Sequence, residues 1–429
     1  MLKSRHSKPL FYSLMQGTPE QAPSLVLEGR LECVADLCVT VHAMSGKACA
    51  FDVSSQSPGF VLATLAVQRM PPSRPSIPMF YLDALGLELE KPLGQQGLVS
   101  GSNVTYVLQA ASDEEVRCLE QKAGKKQHID LRDQLVWTTL RCLSLAGLPS
   151  LPLPGNLRSL TFVDEFNESL EELSLPSSLR SLKFGTLFNQ SLAKVLLPKK
   201  LRSLTFGCVF NQSLDDTLLP SSLRSLTFGV FFNRSFEKVY LPSQLRILTF
   251  HPLSVFNQSL EKVSLPRTLQ SLTFGMCFNQ SLEKVSLPST LRILEFGTGF
   301  NQSLEKVSLP STLQSLAFGI KFNRSLEKVS LPSQLQSLTF GCDFNQSLEK
   351  VSLPSTLQSI TFGLCFNQTL EKVLLPSTLQ RLTFGRGFNQ GFERVALPST
   401  LRSLRLDNQT QCEAVLETAS LPAGCIVYY

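Results

Sequence analysis

Leu287-Pro288-Ser289-Thr290-Leu291-Arg292-Ile293-Leu294-Glu295-Phe296-Gly297-Thr298-Gly299-Phe300-Asn301-Gln302-Ser303-Leu304-Glu305-Lys306-Val307-Ser308 recurs in near-copies from about residue 155 to residue 406. Prolines set the register: Pro154, Pro176, Pro198, Pro220 and Pro242 lie 22 residues apart, as do Pro266, Pro288, Pro310, Pro332, Pro354, Pro376 and Pro398. Between Pro242 and Pro266 the loop His251-Pro252-Leu253-Ser254-Val255 replaces the usual Gly-x-x and adds two residues. A fixed period of roughly 20–50 residues marks a solenoid in which each coil contacts only its neighbours.

Two apolar patterns alternate within a coil, Leu291-x-x-Leu294-x-Phe296 and Leu304-x-x-Val307-x-Leu309, and both read as short strands. Gly297 and Pro310 then supply corners, Gly through its tolerance of positive φ and Pro through its missing N–H. Stacking places the phenylalanines from Phe162 to Phe384 in one core column and those from Phe166 to Phe388 in a second. A third column is a structural ladder of Asn167, Asn189, Asn211, Asn233, Asn257, Asn279, Asn301, Asn323, Asn345, Asn367 and Asn389, expected to face inward and satisfy turn amides and carbonyls.

Phe-Asn-Gln-Ser-Leu followed by Leu-Pro-x-x-Leu-x-x-Leu-x-Phe-Gly resembles the FNIP repeat, a relative of leucine-rich repeats, and is similar to BspA-like leucine-rich repeats. Eleven consecutive Phe-Asn pairs carry the likeness over roughly residues 154–406. Asn301 follows Leu291 by ten residues, against eight in the commonest leucine-rich pattern, so a strand-rich prism or shallow arc is expected. The fold class is therefore mainly β: a leucine-rich-repeat-like solenoid of 22-residue coils with two short strands per coil, preceded by a small α+β domain.

Before the array, Leu37–Met44 and Ala48–Val53 read as a hairpin, 59–70 as a helix ending at Pro71-Pro72, and Met79–Leu82, Leu85–Leu89 and Gly101–Leu108 as further strands. This order resembles the ubiquitin-like β-grasp fold, with Leu93–Val107 as its closing segment. No Gly-Gly ends the module, so the resemblance implies an embedded docking module and argues against a conjugated modifier. The divisions are 1–31, a disordered segment; 32–110, the ubiquitin-like domain; 111–130, a charged linker or helix; 131–154, an N-terminal cap; 155–406, the array; and 407–429, a C-terminal cap.

The 43% apolar share fits an ordered repeat protein, and a net charge of +6 over 429 residues gives little support for nucleic acid. Eleven cysteines with no Cys-x-x-Cys suggest free thiols in a reducing compartment. Met1 to Arg30 lacks an apolar signal core and no long apolar run occurs, so the expectation is a soluble, cytoplasmic protein without membrane partners; the basic opening leaves a transit peptide as the alternative.

His6, His42, His128 and His251 are scattered without metal-ligand spacing, and no phosphate-binding Gly-rich motif occurs, so no catalytic residue, metal, cofactor or small-molecule substrate is expected. Many Asn-x-Ser/Thr triplets occur, including those starting at Asn189, Asn211, Asn257, Asn279, Asn301 and Asn345, but an inward-facing column favours structural use over glycan attachment. Stacked Glu and Lys columns (Glu261 to Glu371, Lys262 to Lys372) read as a solvated face. Arg158, Arg180, Arg202, Arg224 and Arg246 form a basic row that turns mostly to Gln from Gln270 onward; a solvated edge is favoured there over an acidic or phosphate partner.

The copies disagree most between Gly and Phe. Leu187, Val209, Phe231, Met276, Ile320, Lys321, Asp343, Leu364 and Arg386 occupy these sites and form a candidate partner-binding ridge, with neutral drift an equal explanation. The leading expectation is a non-enzymatic scaffold or adaptor that binds protein partners; the alternatives are a ubiquitin-pathway adaptor or a secreted, glycosylated adhesion protein.

Overall fold

The structure, a computed structural model, describes residues 37–43, 48–53, 76–82, 85–86, 103–110, 113–124, 140–149, 151–407, 413 and 419–428. The expected disordered segment 1–31 and the expected helix at 59–70 lie outside them.

The N-terminal strands are β1 (Leu37–Ala43), β2 (Ala48–Val53), β3 (Ser76–Leu82), β4 (Leu85–Gly86) and β5 (Asn103–Ala110). They form one mixed sheet in the order β2-β1-β5-β3-β4. The hairpin β1/β2 is antiparallel, β1 and β5 run parallel with Thr40 opposite Asn103, and β3 is antiparallel to β5.

Asp113–Gly124 forms helix α1 rather than an open linker. Acidic residues in its first turn and Lys122 in its last complement the helix dipole. Leu119 and Ala123, four residues apart on one face, are buried in the solenoid core. The Glu120 carboxylate accepts the Ser144 N–H at 2.7 Å, satisfying a donor on the first solenoid strand. Burial raises the Glu120 carboxyl above the ordinary glutamate range, and that hydrogen bond opposes the rise.

The array forms a 14-stranded parallel sheet, from β6 (Cys142–Leu145) to β19 (Ile426–Tyr428), whose strands lie side by side in chain order. Identical positions meet across the ladder: Leu226 lies between Leu204 and Leu248. Strands are three or four residues long and alternate buried Leu or Phe with outward Ser or Thr, as in β10 (Ser225–Phe228).

Each coil has one strand, not two. The second apolar run is closed by a tight turn, in which the Val307 N–H donates to the Leu304 carbonyl at 3.0 Å and the Ser303 hydroxyl accepts the Glu305 N–H. A second turn closes from Leu313 N–H to the Pro310 carbonyl. Leu304 and Val307 are both buried because a three-residue spacing across a turn aims both side chains inward. Alternation there reflects the turn, not a strand.

Glycine also serves differently from expectation. Among the described glycines only Gly424 has a positive φ, at 78°. The column Gly297, Gly319, Gly341, Gly363 is instead set by stacking, because a Cβ on each would collide with the carbonyl of the glycine one coil earlier.

Both phenylalanine columns are continuous and buried. Ring centroids repeat at 5.1–6.0 Å along the first and 5.9–6.2 Å along the second. Within a coil the two rings stack at 3.7–4.1 Å. The two-residue insertion leaves this order intact. Ser254, fully buried, accepts the Phe256 N–H, and the His251 Nδ1 accepts the Leu253 N–H, so the extra chain loops out while Ile247 still faces Ser271 in the ladder.

Candidate interaction surfaces

The variable ridge follows the corner after the strand. Its backbone is itself a ladder between coils: Lys321 N–H donates to the Thr298 carbonyl, Asp343 to Ile320, and Cys365 to Cys342. Side chains point outward here and vary from coil to coil, except at Gly299 and Gly387, where a Cβ would collide with the carbonyl of Met276 or Leu364. Leu187, Phe231, Met276, Ile320 and Leu364 are 36–52% exposed, Leu187 and Phe231 at the second site between Gly and Phe and the other three at the first, and Leu253 of the inserted loop, 54% exposed, lies between Phe231 and Met276. Lys321, Asp343 and Arg386 are exposed between or beyond them, and Val209 is half-buried. All nine lie along this one corner of the stack.

The asparagine column lies at the surface rather than inward: Asn167, Asn257, Asn323 and Asn389 are exposed, and the remaining seven are half-buried. Phe300 and Leu304 take the inward positions on either side, leaving Asn301 on the outer wall. Each side chain still stitches coils. The Oδ1 atoms of Asn167 through Asn367 accept the N–H of the asparagine one coil later at 2.8–3.1 Å. The following Gln or Arg reaches back to the same residue, as Gln302 Nε2 does to Asn279 Oδ1 and Arg324 Nε to the Asn301 carbonyl.

Two further seams join the coils. Each lysine of the charged face bridges to the glutamate of the preceding coil, as Lys284 does to Glu261 at 2.8 Å. The Glu261 hydrogen bond and charge raise the Lys284 pKa, though solvent exposure leaves such pairs of little energetic weight. Hydroxyls in the Pro-Ser-Thr-Leu turn form the other seam: Thr290 Oγ1 is 2.6 Å from the Arg267 carbonyl and 2.8 Å from that of Leu269, a donor shared across coils.

The arginine row stands on the outer edge of the sheet, exposed from Arg158 to Arg246. The structure adds Arg141, whose carbonyl accepts the Arg158 N–H. A 17-residue step, shorter than the period, hides that position in the sequence. Sequence reading also missed Leu196, Leu218 and Tyr240, exposed on three successive coils where most copies have Ser. The signal was present as a departure from consensus.

Among the described residues no group of His, Cys, Asp and Glu could hold a metal ion, and no helix is long and apolar enough to cross a membrane. Seven described cysteines are free thiols.

This geometry defines a class: a parallel-strand solenoid of the leucine-rich-repeat kind. The FNIP Repeat pattern matches residues 148–187, 188–231, 232–277, 278–321, 322–365 and 366–409, and the chain belongs to that family. Among solved structures the chain is similar to CroV588, described as a novel circular LRR protein, at 36% identity with a TM-score of 0.54. The match covers 65% of this chain and 44% of that one. It also resembles an internalin (inlF) from Listeria monocytogenes at 14% identity and a TM-score of 0.47, covering 73% of this chain and 93% of the other. No curated protein matches the chain.

Proposed function

We propose that the protein is a non-enzymatic interaction scaffold whose protein partner docks along the ridge from Leu187 to Arg386. The observation that carries this reading is the run of exposed apolar side chains, Leu187, Phe231, Met276, Ile320 and Leu364, along one corner whose backbone is fixed by its own hydrogen bonds. Rigid presentation lowers the entropy cost of binding, and apolar anchors along one corner suit an extended protein surface. The test replaces these five side chains by the Thr or Gly found in the coil of Thr298-Gly299, then compares proteins captured from cell extract. Loss of a defined partner set is expected; an unchanged set removes the ridge as the site.

Residues 32–110 are read, in the same proposal, as a ubiquitin-like docking module. Support comes from the strand order β2-β1-β5-β3-β4 with its parallel central pair. NMR titration of the full chain with ubiquitin-receptor domains distinguishes a ubiquitin-pathway adaptor from a scaffold that uses the solenoid alone.

A secreted, glycosylated protein is the second reading, because the Asn-x-Ser/Thr asparagines lie at the surface. A glycosidase-sensitive mobility shift of cell-derived protein supports it, and its absence removes it.

A further inference from the structure

On another side of the same array, the early coils depart from consensus as a group. Arg141, Arg158, Arg180, Arg202, Arg224 and Arg246 stack with their backbones joined in series, and none has an ion pair among the described residues. Outward strand positions from Arg158 to Phe250 contain half-buried Ser and Thr and exposed Ile247 and Lys183, but no carboxylate. Guanidinium groups on adjacent strands repel one another, so a row without counter-charge is costly unless something anionic lies over it. Later coils avoid the cost by carrying Gln270, Gln314, Gln336, Gln358 and Gln380 at the same position.

Around the proline corner the departures continue. Lys199-Lys200 replaces the Ser-Ser or Ser-Thr pair of most other coils, adding charge and removing a hydroxyl from the turn seam. Just before this corner, Leu196, Leu218 and Tyr240 are 85%, 82% and 94% exposed. Ser264, Ser286, Ser308, Ser330 and Ser352 hold that position in the next five coils, and a large apolar residue returns once beyond them, at Leu374, 90% exposed, where the turn pair is Ser377-Thr378 and the row residue Gln380. Beyond the apolar strip, Asp215-Asp216 stands where Glu-Lys would continue the ion-pair seam.

We propose that this surface docks an acidic polypeptide segment of a partner protein, its apolar side chains on Leu196, Leu218 and Tyr240 and its carboxylates over Lys199, Lys200, Arg202, Arg224 and Arg246. The apolar strip gives a polypeptide anchors that a phosphate backbone lacks. Asp215 and Asp216 repel anions on the far side, so the partner's charge must face the arginine row. The site is distinct from the ridge and rests on the scaffold reading only for the class of partner.

Substitutions that copy other coils keep the fold: Arg202→Gln with Arg224→Gln, and Leu218→Ser with Tyr240→Ser. The assay is fluorescence anisotropy of a labelled peptide of Glu-Glu-Leu repeats added to the full chain, with Glu-Glu-Ser repeats and oligothymidylate as comparisons. The Leu-containing peptide should bind, and each double variant should weaken it about tenfold. A ridge variant, Phe231→Thr with Ile320→Thr, should bind it unchanged. No binding by the parent, or binding indifferent to both patch variants, overturns the proposal and leaves the ridge reading standing. Equal binding of oligothymidylate, lost only in the arginine variant, assigns the row to nucleic acid and overturns it too.

Discussion

Thr217→Val should stabilise the protein. Val195 and Val239 hold the same position in the adjoining coils, and Thr217 is as buried as they are, at 7% exposure. Its Oγ1 is the one buried side-chain polar atom without a hydrogen-bond partner among the described residues. An unsatisfied hydroxyl in such a place costs about 1–3 kcal/mol in proteins. The added methyl joins a column already shaped for it and contributes about 0.8 kcal/mol. The sum is about 2–4 kcal/mol, and with a urea slope of about 2 kcal/mol/M the midpoint should rise by about 1–2 M. Thr217→Ser serves as the opposite control, since it keeps the hydroxyl, loses the methyl and should destabilise by about 1 kcal/mol. If Thr217→Val melts at or below the parent midpoint, the hydroxyl is satisfied and the reasoning fails.

Gly319→Ala forces a Cβ onto the Gly297 carbonyl and should cost about 3 kcal/mol, read as a lowered urea midpoint and faster amide exchange in the coils on either side. Asn301→Leu removes the acceptor for the Asn323 N–H at a half-exposed site, where water takes over part of the bond; a loss of about 1 kcal/mol is expected, and a midpoint equal to the parent's would show the ladder to be idle. Glu120→Gln keeps an acceptor for Ser144 without the buried charge. A carboxyl raised in the folded state stabilises fully below the unfolded glutamate range and loses that contribution as pH rises through its folded value. The variant should therefore gain on the parent from acidic to neutral pH in paired thermal melts, and a constant difference across that range would contradict the burial argument.

The period, the phenylalanine columns and the single displaced repeat were readable because each depends only on which residues recur. What recurrence does not encode is the path of the chain inside a coil. Leu304-x-x-Val307-x-Leu309 fits a strand by alternation, yet the Leu304–Val307 turn gives the same buried pair. A glycine needed for close approach looks identical in sequence to one needed for positive φ, and only the collision with the preceding carbonyl tells them apart. A stacked asparagine that satisfies turn amides reads as part of a buried bend, yet Phe300 and Leu304 already fill the interior positions around Asn301, and the same ladder forms on the outer wall. The ridge was visible as disagreement between copies. Arg141 was not, because its coil lies outside the regular period.

The loop at His251–Val255 carries a consequence for how such a protein changes length. It shows that material can be added at that corner while the strands before and after it, Ile247–Phe250 and Ser271–Thr273, keep their pairing. Duplicating or deleting a whole coil is gentler still, for it shifts everything downstream by one strand spacing of about 4.8 Å and preserves every contact type. The array thus works as a ruler graduated in coils, and the distance between two points on its surface can be reset by copying a 22-residue cassette.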